Sequence, residues 1–229
     1  MSPSPPEAIA AQQAPEGPVL AFDAASPVAS AALARAGRLL ACRALAEERS
    51  SGVLLGLIDA VLGEAGLRPA ELAGAVALGG PGSFTGTRVA LATALGLRLA
   101  GVPRATAVSS LEALALAAPD NLRRPLAVID ALRGDWFVQI FHRGGAADPE
   151  AAEEPRLAAA TAPLPAGVDG LVGFAADRFA AHHPALRVIL PDALAPAVAV
   201  AASLGRWSWD EGALARPYYL RPPAVRRPA

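Results

Sequence analysis

The feature that most constrains this chain is a pattern that occurs twice. Residues 19-VLAFDAAS-26 form a short apolar run ending in aspartate, and 126-LAVIDALRG-134 form another. After the first, 28-VASAALARAG-37 and 38-RLLACRALAEE-48 read as two further strands with an Ala-Gly-Arg turn between them, an antiparallel meander. Residues 50-SSGVLLGLIDAVLGEAGL-67 then place apolar side chains at 54, 57, 58, 61 and 62, the spacing of a helix. Ser50 or Ser51 is positioned to cap it, and Gly66 to end it. A short buried strand, 75-AVALG-79, leads through a glycine-rich loop into a helix reaching about Ala100. A strand at 104-RATAVS-109 and a helix at 110-SLEALALAA-118 complete the order βββ-α-β-α-β-α.

The second half opens in the same manner. Strands are expected at 125-PLAVIDALRG-134, 135-DWFVQIFHRGG-145 and 155-PRLAAATA-162. Strand 170-GLVGFA-175, helix 176-ADRFAAHH-183, strand 186-LRVIL-190 and helix 192-DALAPAVAVAASLG-205 follow. The expected fold is α/β, two βββαβαβα-related halves with the second reduced. The expected division is a disordered extension at 1–17, a first half at 18–118, a second at 119–206 and a tail at 207–229.

Composition narrows the chemistry. Of 229 residues, 53% are hydrophobic and 18% charged, enough to bury a sizeable core. No stretch has the character of a transmembrane helix. The Pro-, Ala- and Gln-rich start lacks the basic, then apolar, layout of a signal peptide, so a cytoplasmic protein is expected. The net charge of −1 argues against broad electrostatic binding of nucleic acid. All 20 basic residues are arginine, which excludes a Schiff-base lysine and a phosphate-loop lysine. Cys42, the one cysteine, lies in a strand and reads as a packed thiol.

The loop 79-GGPGSFTGTR-88 is the candidate site. It is not a P-loop: neither Gly79 nor Gly80 has a glycine at the required offset, and no lysine follows. Two readings remain. Exposed glycine amides and the helix start can contact an anion weakly, with Asp23, Gly80, Gly82, Ser83, Thr85 and Gly86 as the contacts. Alternatively, Pro81-Gly82 makes a turn while Ser83 or Thr85 caps the helix. A nucleophilic Ser83 would need a histidine and a carboxylate in reach. The histidines are His142, His182 and His183, and no G-x-S-x-G elbow is present. Asp23 and Asp130 end the two first strands; each either helps hold a metal and water or caps its own turn.

The segments 22-FDAAS-26, 80-GPGSFTGTR-88, 108-VSSLEAL-114, 127-AVIDALRGDWF-137 and 217-PYYLR-221 together resemble the TsaB (YeaZ) family, over about residues 19–221. The resemblance implies the actin/Hsp70-like fold. It implies a non-catalytic subunit that binds and supports TsaD in forming threonylcarbamoyladenosine in tRNA, with the ATPase TsaE joining and tRNA met only through the complex. No catalytic residue, metal or cofactor is expected. The catalytic relative holds its metal through H-x-x-x-H histidines, and helix 51–65 has none. The family's Asp-Thr-Ser is here Asp23-Ala24-Ala25-Ser26, and its His-Ser and Leu-Leu-Pro are replaced by 50-SSGVLLGL-57. An active small-molecule kinase or ATPase of the same fold is the alternative, separable by ATP turnover.

Helices 51–65 and 86–100 are apolar on more than one side. Either both are deeply buried between layers, or one face meets the core and another a partner. The resemblance favours the second, with Val53, Leu54, Leu57, Ile58, Val61, Leu62, Val89, Leu91 and Leu95 as the expected surface for TsaD, or for a second copy in a homodimer.

Overall fold

The computed structural model describes residues 15–45, 50–144, 148–193, 197–198, 200 and 208–220. Residues 1–14 of the expected extension at 1–17 and the bulk of the expected helix 192–205 lie outside them.

The first sheet contains β1 (Val19–Asp23), β2 (Ala29–Arg35), β3 (Arg38–Leu45), β4 (Gly74–Leu78) and β5 (Ala105–Val108), in the order β3-β2-β1-β4-β5. Strands β1, β2 and β3 pair antiparallel, while β4 pairs parallel with both β1 and β5. The helices α1 (Ser50–Glu64), α2 (Phe84–Leu99) and α3 (Ser110–Ala117) connect them. Parallel neighbours require such crossovers, since a tight hairpin cannot join them.

The second sheet repeats the plan with shorter parts. Its strands are β6 (Pro125–Asp130), β7 (Asp135–His142), β8 (Glu150–Ala151), β9 (Arg156–Ala159), β10 (Gly170–Val172) and β11 (Arg187–Ile189). The order is β11-β10-β6-β7, with β8 and β9 both on β7. The antiparallel β6–β7 pair and the parallel β6–β10–β11 set mirror β1–β2 and β1–β4–β5. Two such sheets, each led by an Asp-ended strand, make the doubled α/β architecture that the repeated pattern predicted, and with it the actin-like fold that the resemblance implied.

Helix α1 ends as its glycine predicts. Gly66 has φ +65°, and the Leu67 amide donates back to the Leu62 carbonyl at 2.9 Å. The α4 helix (Ala176–Ala180) stops short of the expected 183. Tighter bonds from His182 to Phe179 and from His183 to Ala180 replace its last turn, and His183 Nε2 contacts the Ala160 carbonyl at 2.8 Å.

Packing explains the layering. One face of the first sheet packs on α1 and α2 through Leu20, Phe22, Leu54, Ile58, Val61 and Leu91. Its other face meets Ala113 of α3, together with Ala197, Val200 and Trp209. The opposite side of α3, Leu111, Leu114, Ala115 and Ala118, is continuous with Ala127, Phe137, Phe141 and Val172 of the second sheet. Thus α3 is a wall common to both halves. Ala197 and Val200, from a segment expected in the second half, pack on the first sheet instead.

Candidate functional site

The end of β1 and the start of α2 meet in one place. Asp23 is buried, and its Oδ1 accepts from the amides of Ala25 at 2.7 Å and Ser26 at 3.3 Å. Burial pushes its carboxyl above the ordinary carboxylate value, opposed by the bonds from the Ser26 side chain and the two amides. The turn held in this way, Ala24-Ala25, presses onto the glycine loop. A Cβ on Gly86 would sit 1.7 Å from the Ala24 carbonyl oxygen, and one on Gly82 would sit 2.6 Å from that of Ala25. Main chain of the turn thus lies directly against main chain of the helix start.

Three amides at the loop and the helix start, those of Ser83, Gly86 and Thr87, are taken up within this contact. The Ser83 amide donates to the Ala25 carbonyl at 2.8 Å, and the Thr87 amide to the Ser83 carbonyl at 2.8 Å. Ser83 is the N-cap, its Oγ accepting from the Gly86 amide at 3.3 Å, so α2 starts two residues earlier than expected. Gly80 has φ +89°, where side chains are rarely tolerated, and its carbonyl accepts from the Ser110 amide at 2.7 Å. Of the residues nominated for an anion, Asp23, Gly82, Ser83 and Gly86 are thus joined to one another by close main-chain packing and caps. Thr85 is exposed on the first turn of α2. The turn and the helix start are therefore in direct contact, with no cleft between Ala24-Ala25 and Gly82 or Gly86.

The second aspartate repeats the first. Asp130 Oδ1 accepts from the Leu132 amide at 2.7 Å, the same two-residue reach, and Oδ2 pairs with Arg178 Nη1 at 2.7 Å. Arg178 also lies over the Trp136 ring. Both strand-end carboxylates cap their own turns. Among the described residues, no group of three or more His, Cys, Asp or Glu is arranged to hold a metal ion, and no helix is long and apolar enough to cross a membrane.

Residues 208–220 form a strap along α2 and β5. Thr106 Oγ1 donates to the Ser208 carbonyl at 3.0 Å, and Trp209 lies against Gly74, where a Cβ would come within 2.5 Å of the indole. Glu211 pairs with Arg98 near the C-terminal end of α2. The Tyr218 amide donates to the Gly79 carbonyl at 3.0 Å. The Tyr219 ring stacks on Phe84 with centroids 5.2 Å apart, and its hydroxyl accepts from Arg88 Nε at 3.0 Å. Residues 217-PYYL-220 therefore anchor the glycine loop and α2 from outside. No local pattern in the segment signals this contact, since Arg88 and Tyr219 lie 131 residues apart.

The expected interface needs correction. Leu54, Leu57, Ile58, Val61, Leu62 and Leu91 are buried in the chain's own core, because the stripe they form is the one that packs on the first sheet. Val53 and Val89 are half-buried against that core. Of the nine, Leu95 is exposed, at 47%. The outward faces instead carry Leu55 at 67% and Leu99 at 80% exposure. Beside them stand Gly52, Gly56, Gly63 and Gly96, none with a neighbour within 4 Å of where a Cβ would be.

Comparison with known proteins agrees with this fold. The family model for TsaD, tRNA N6-adenosine threonylcarbamoyltransferase, matches residues 44–165, more than half of the chain. An uncharacterized Pseudomonas aeruginosa protein with similarity to the peptidase YeaZ superposes with TM-score 0.73 at 24% identity, covering 90% of this chain and 100% of that one. YeaZ from Pseudomonas aeruginosa superposes with TM-score 0.67 at 22% identity, covering 82% and 90%. No curated protein matches the chain. The chain belongs to the TsaD family, with the motifs and the fold of its TsaB (YeaZ) members.

Proposed function

We propose that this chain is a non-catalytic subunit of the bacterial, cytoplasmic complex that transfers threonylcarbamoyl to tRNA, and that it binds and supports a TsaD-type catalytic subunit. The observation that carries this reading is the closed loop: Ala24-Ala25 main chain lies directly against Gly82 and Gly86, with no cleft between them. Further support comes from α1, which has no histidine on any face to ligate a metal. A TsaE-like ATPase joins the assembly, and tRNA is met through the complex.

The docking surface in this reading is the outward face of α1 and α2, which pack against each other. Leu55, Leu95 and Leu99 supply the apolar area, and the glycines between them allow another helix to come close. A fully buried leucine contributes about 1.5–3 kcal/mol. Without the partner, the same face pairs two copies of this chain. The test is calorimetric titration of the TsaD-type chain from the same organism into wild type and Leu99→Asp. Binding by wild type, weakened by at least about a hundredfold in the variant, is expected from the loss of one buried leucine plus an unpaired charge. Equal binding by both contradicts this surface, and no binding by wild type contradicts the partnership.

A further inference from the structure

The strap and α2 leave a groove between them. It has a volume of about 280 Å³ and is lined by Arg88, Leu91, Ala92, Leu95, Leu214, Pro217 and Tyr219. Leu91 and Leu214 are buried and form its floor, while Leu95 and Tyr219 are exposed on its walls. The volume suits one or two apolar side chains.

The two arginines of α2 that meet the strap differ. Arg98 pairs with Glu211. Arg88 is held by neutral groups: its guanidinium carbon lies 4.0 Å above the Phe84 ring, and its Nε donates to the Tyr219 hydroxyl. Among the described residues no carboxylate pairs with Arg88. Its position is nevertheless fixed, between a ring face on one side and a phenol oxygen on the other. A guanidinium fixed in this way keeps its Nη donors for a carboxylate, the match its planar fork makes best.

Arg88, Ala92, Leu95 and Leu99 are spaced i, i+4, i+7 and i+11, one ridge along α2. Such a ridge packs lengthwise against another helix. We infer that the groove between α2 and the strap receives an amphipathic helix of the catalytic partner, an apolar side chain entering over Leu91 and Leu214 while an Asp or Glu of the same helix pairs with Arg88. The inference rests on the partner reading above and adds its charge recognition. Tyr219 and Phe84 position Arg88 for it.

The experiment titrates the TsaD-type chain into wild type, Arg88→Gln, Arg88→Glu and Ala92→Trp at low and raised salt, with melting curves for each. Arg88→Gln should weaken binding at least tenfold and flatten its salt dependence, and Arg88→Glu should weaken it further. Ala92→Trp fills the groove while keeping the arginine's charge and should weaken binding on its own. It therefore decides the matter should the Arg88 variants melt early. If Leu99→Asp abolishes binding while Arg88→Glu and Ala92→Trp bind as wild type does, this inference is overturned and the partner reading stands. If wild type does not bind, both fall.

Discussion

Gly86 and Ala24 touch main chain to main chain: a Cβ on Gly86 would lie 1.7 Å from the Ala24 carbonyl oxygen. The start of α2 is thereby seated on the turn that ends β1, and the angle of the docking helix is set by the turn that Asp23 holds. Gly86→Ala must push these two backbones apart. It should cost about 3 kcal/mol in denaturant unfolding and weaken partner binding in parallel, as should Gly82→Val. A Gly86→Ala protein as stable as wild type contradicts the close seating.

Ser83 separates architecture from chemistry. Its hydroxyl caps α2 through the Gly86 amide, so Ser83→Ala should cost about 1 kcal/mol. It should leave the rate of a reconstituted transfer complex within about twofold. Loss of that activity with fold and assembly intact would make the loop chemical rather than architectural.

Asp23 gives stability a pH dependence of known sign. An ordinary unfolded carboxyl titrates near 3.8, and burial raises the folded one above it. The folded chain therefore holds a proton that the unfolded chain has lost, and this stabilisation is full below the unfolded value and drains away as pH rises through the folded one. Asp23→Asn keeps an acceptor for the Ala25 amide without a charge. Urea midpoints measured from about pH 3.5 to 8 should shift progressively in favour of the variant as pH rises. A difference that stays constant with pH contradicts the burial of this charge.

Arg143 ties the two halves. It is buried at the end of β7, its Nη2 accepted by the Ala115 and Ala118 carbonyls at the end of α3, and its Nη1 paired with the exposed Asp120. Arg143→Ala leaves those carbonyls without their partner and should cost about 2–3 kcal/mol. Asp120→Asn should cost less than about 1 kcal/mol, because water screens that carboxylate. Thermal melts of the two variants check the ranking.

The fold was legible because its signals are local. Asp-ended apolar runs, the 54–57–58–61–62 spacing and Gly66 each fix an element from neighbours within a turn or two. The direction of the helices was not. Spacing shows that Leu54, Ile58 and Val61 share a face, but not that the sheet lies on that side, so core residues were assigned to the interface. The strap was hidden for a related reason: Arg88 and Tyr219 are 131 residues apart, and no local pattern joins them. The glycine loop left two readings open because its glycines serve a close approach by Ala24-Ala25, a contact that glycine content alone cannot tell from room for an anion.

The most direct measurement is threonylcarbamoyl transfer to tRNA by the TsaD-type chain, with and without this protein, alongside ATP turnover and transfer by this protein alone. A supporting subunit predicts no ATP turnover or transfer above blank from this chain by itself, and strong stimulation of transfer when it is added. Steady ATP turnover by this chain alone that Asp23→Ala abolishes, or a TsaD-type chain whose transfer rate is indifferent to its presence, would contradict it.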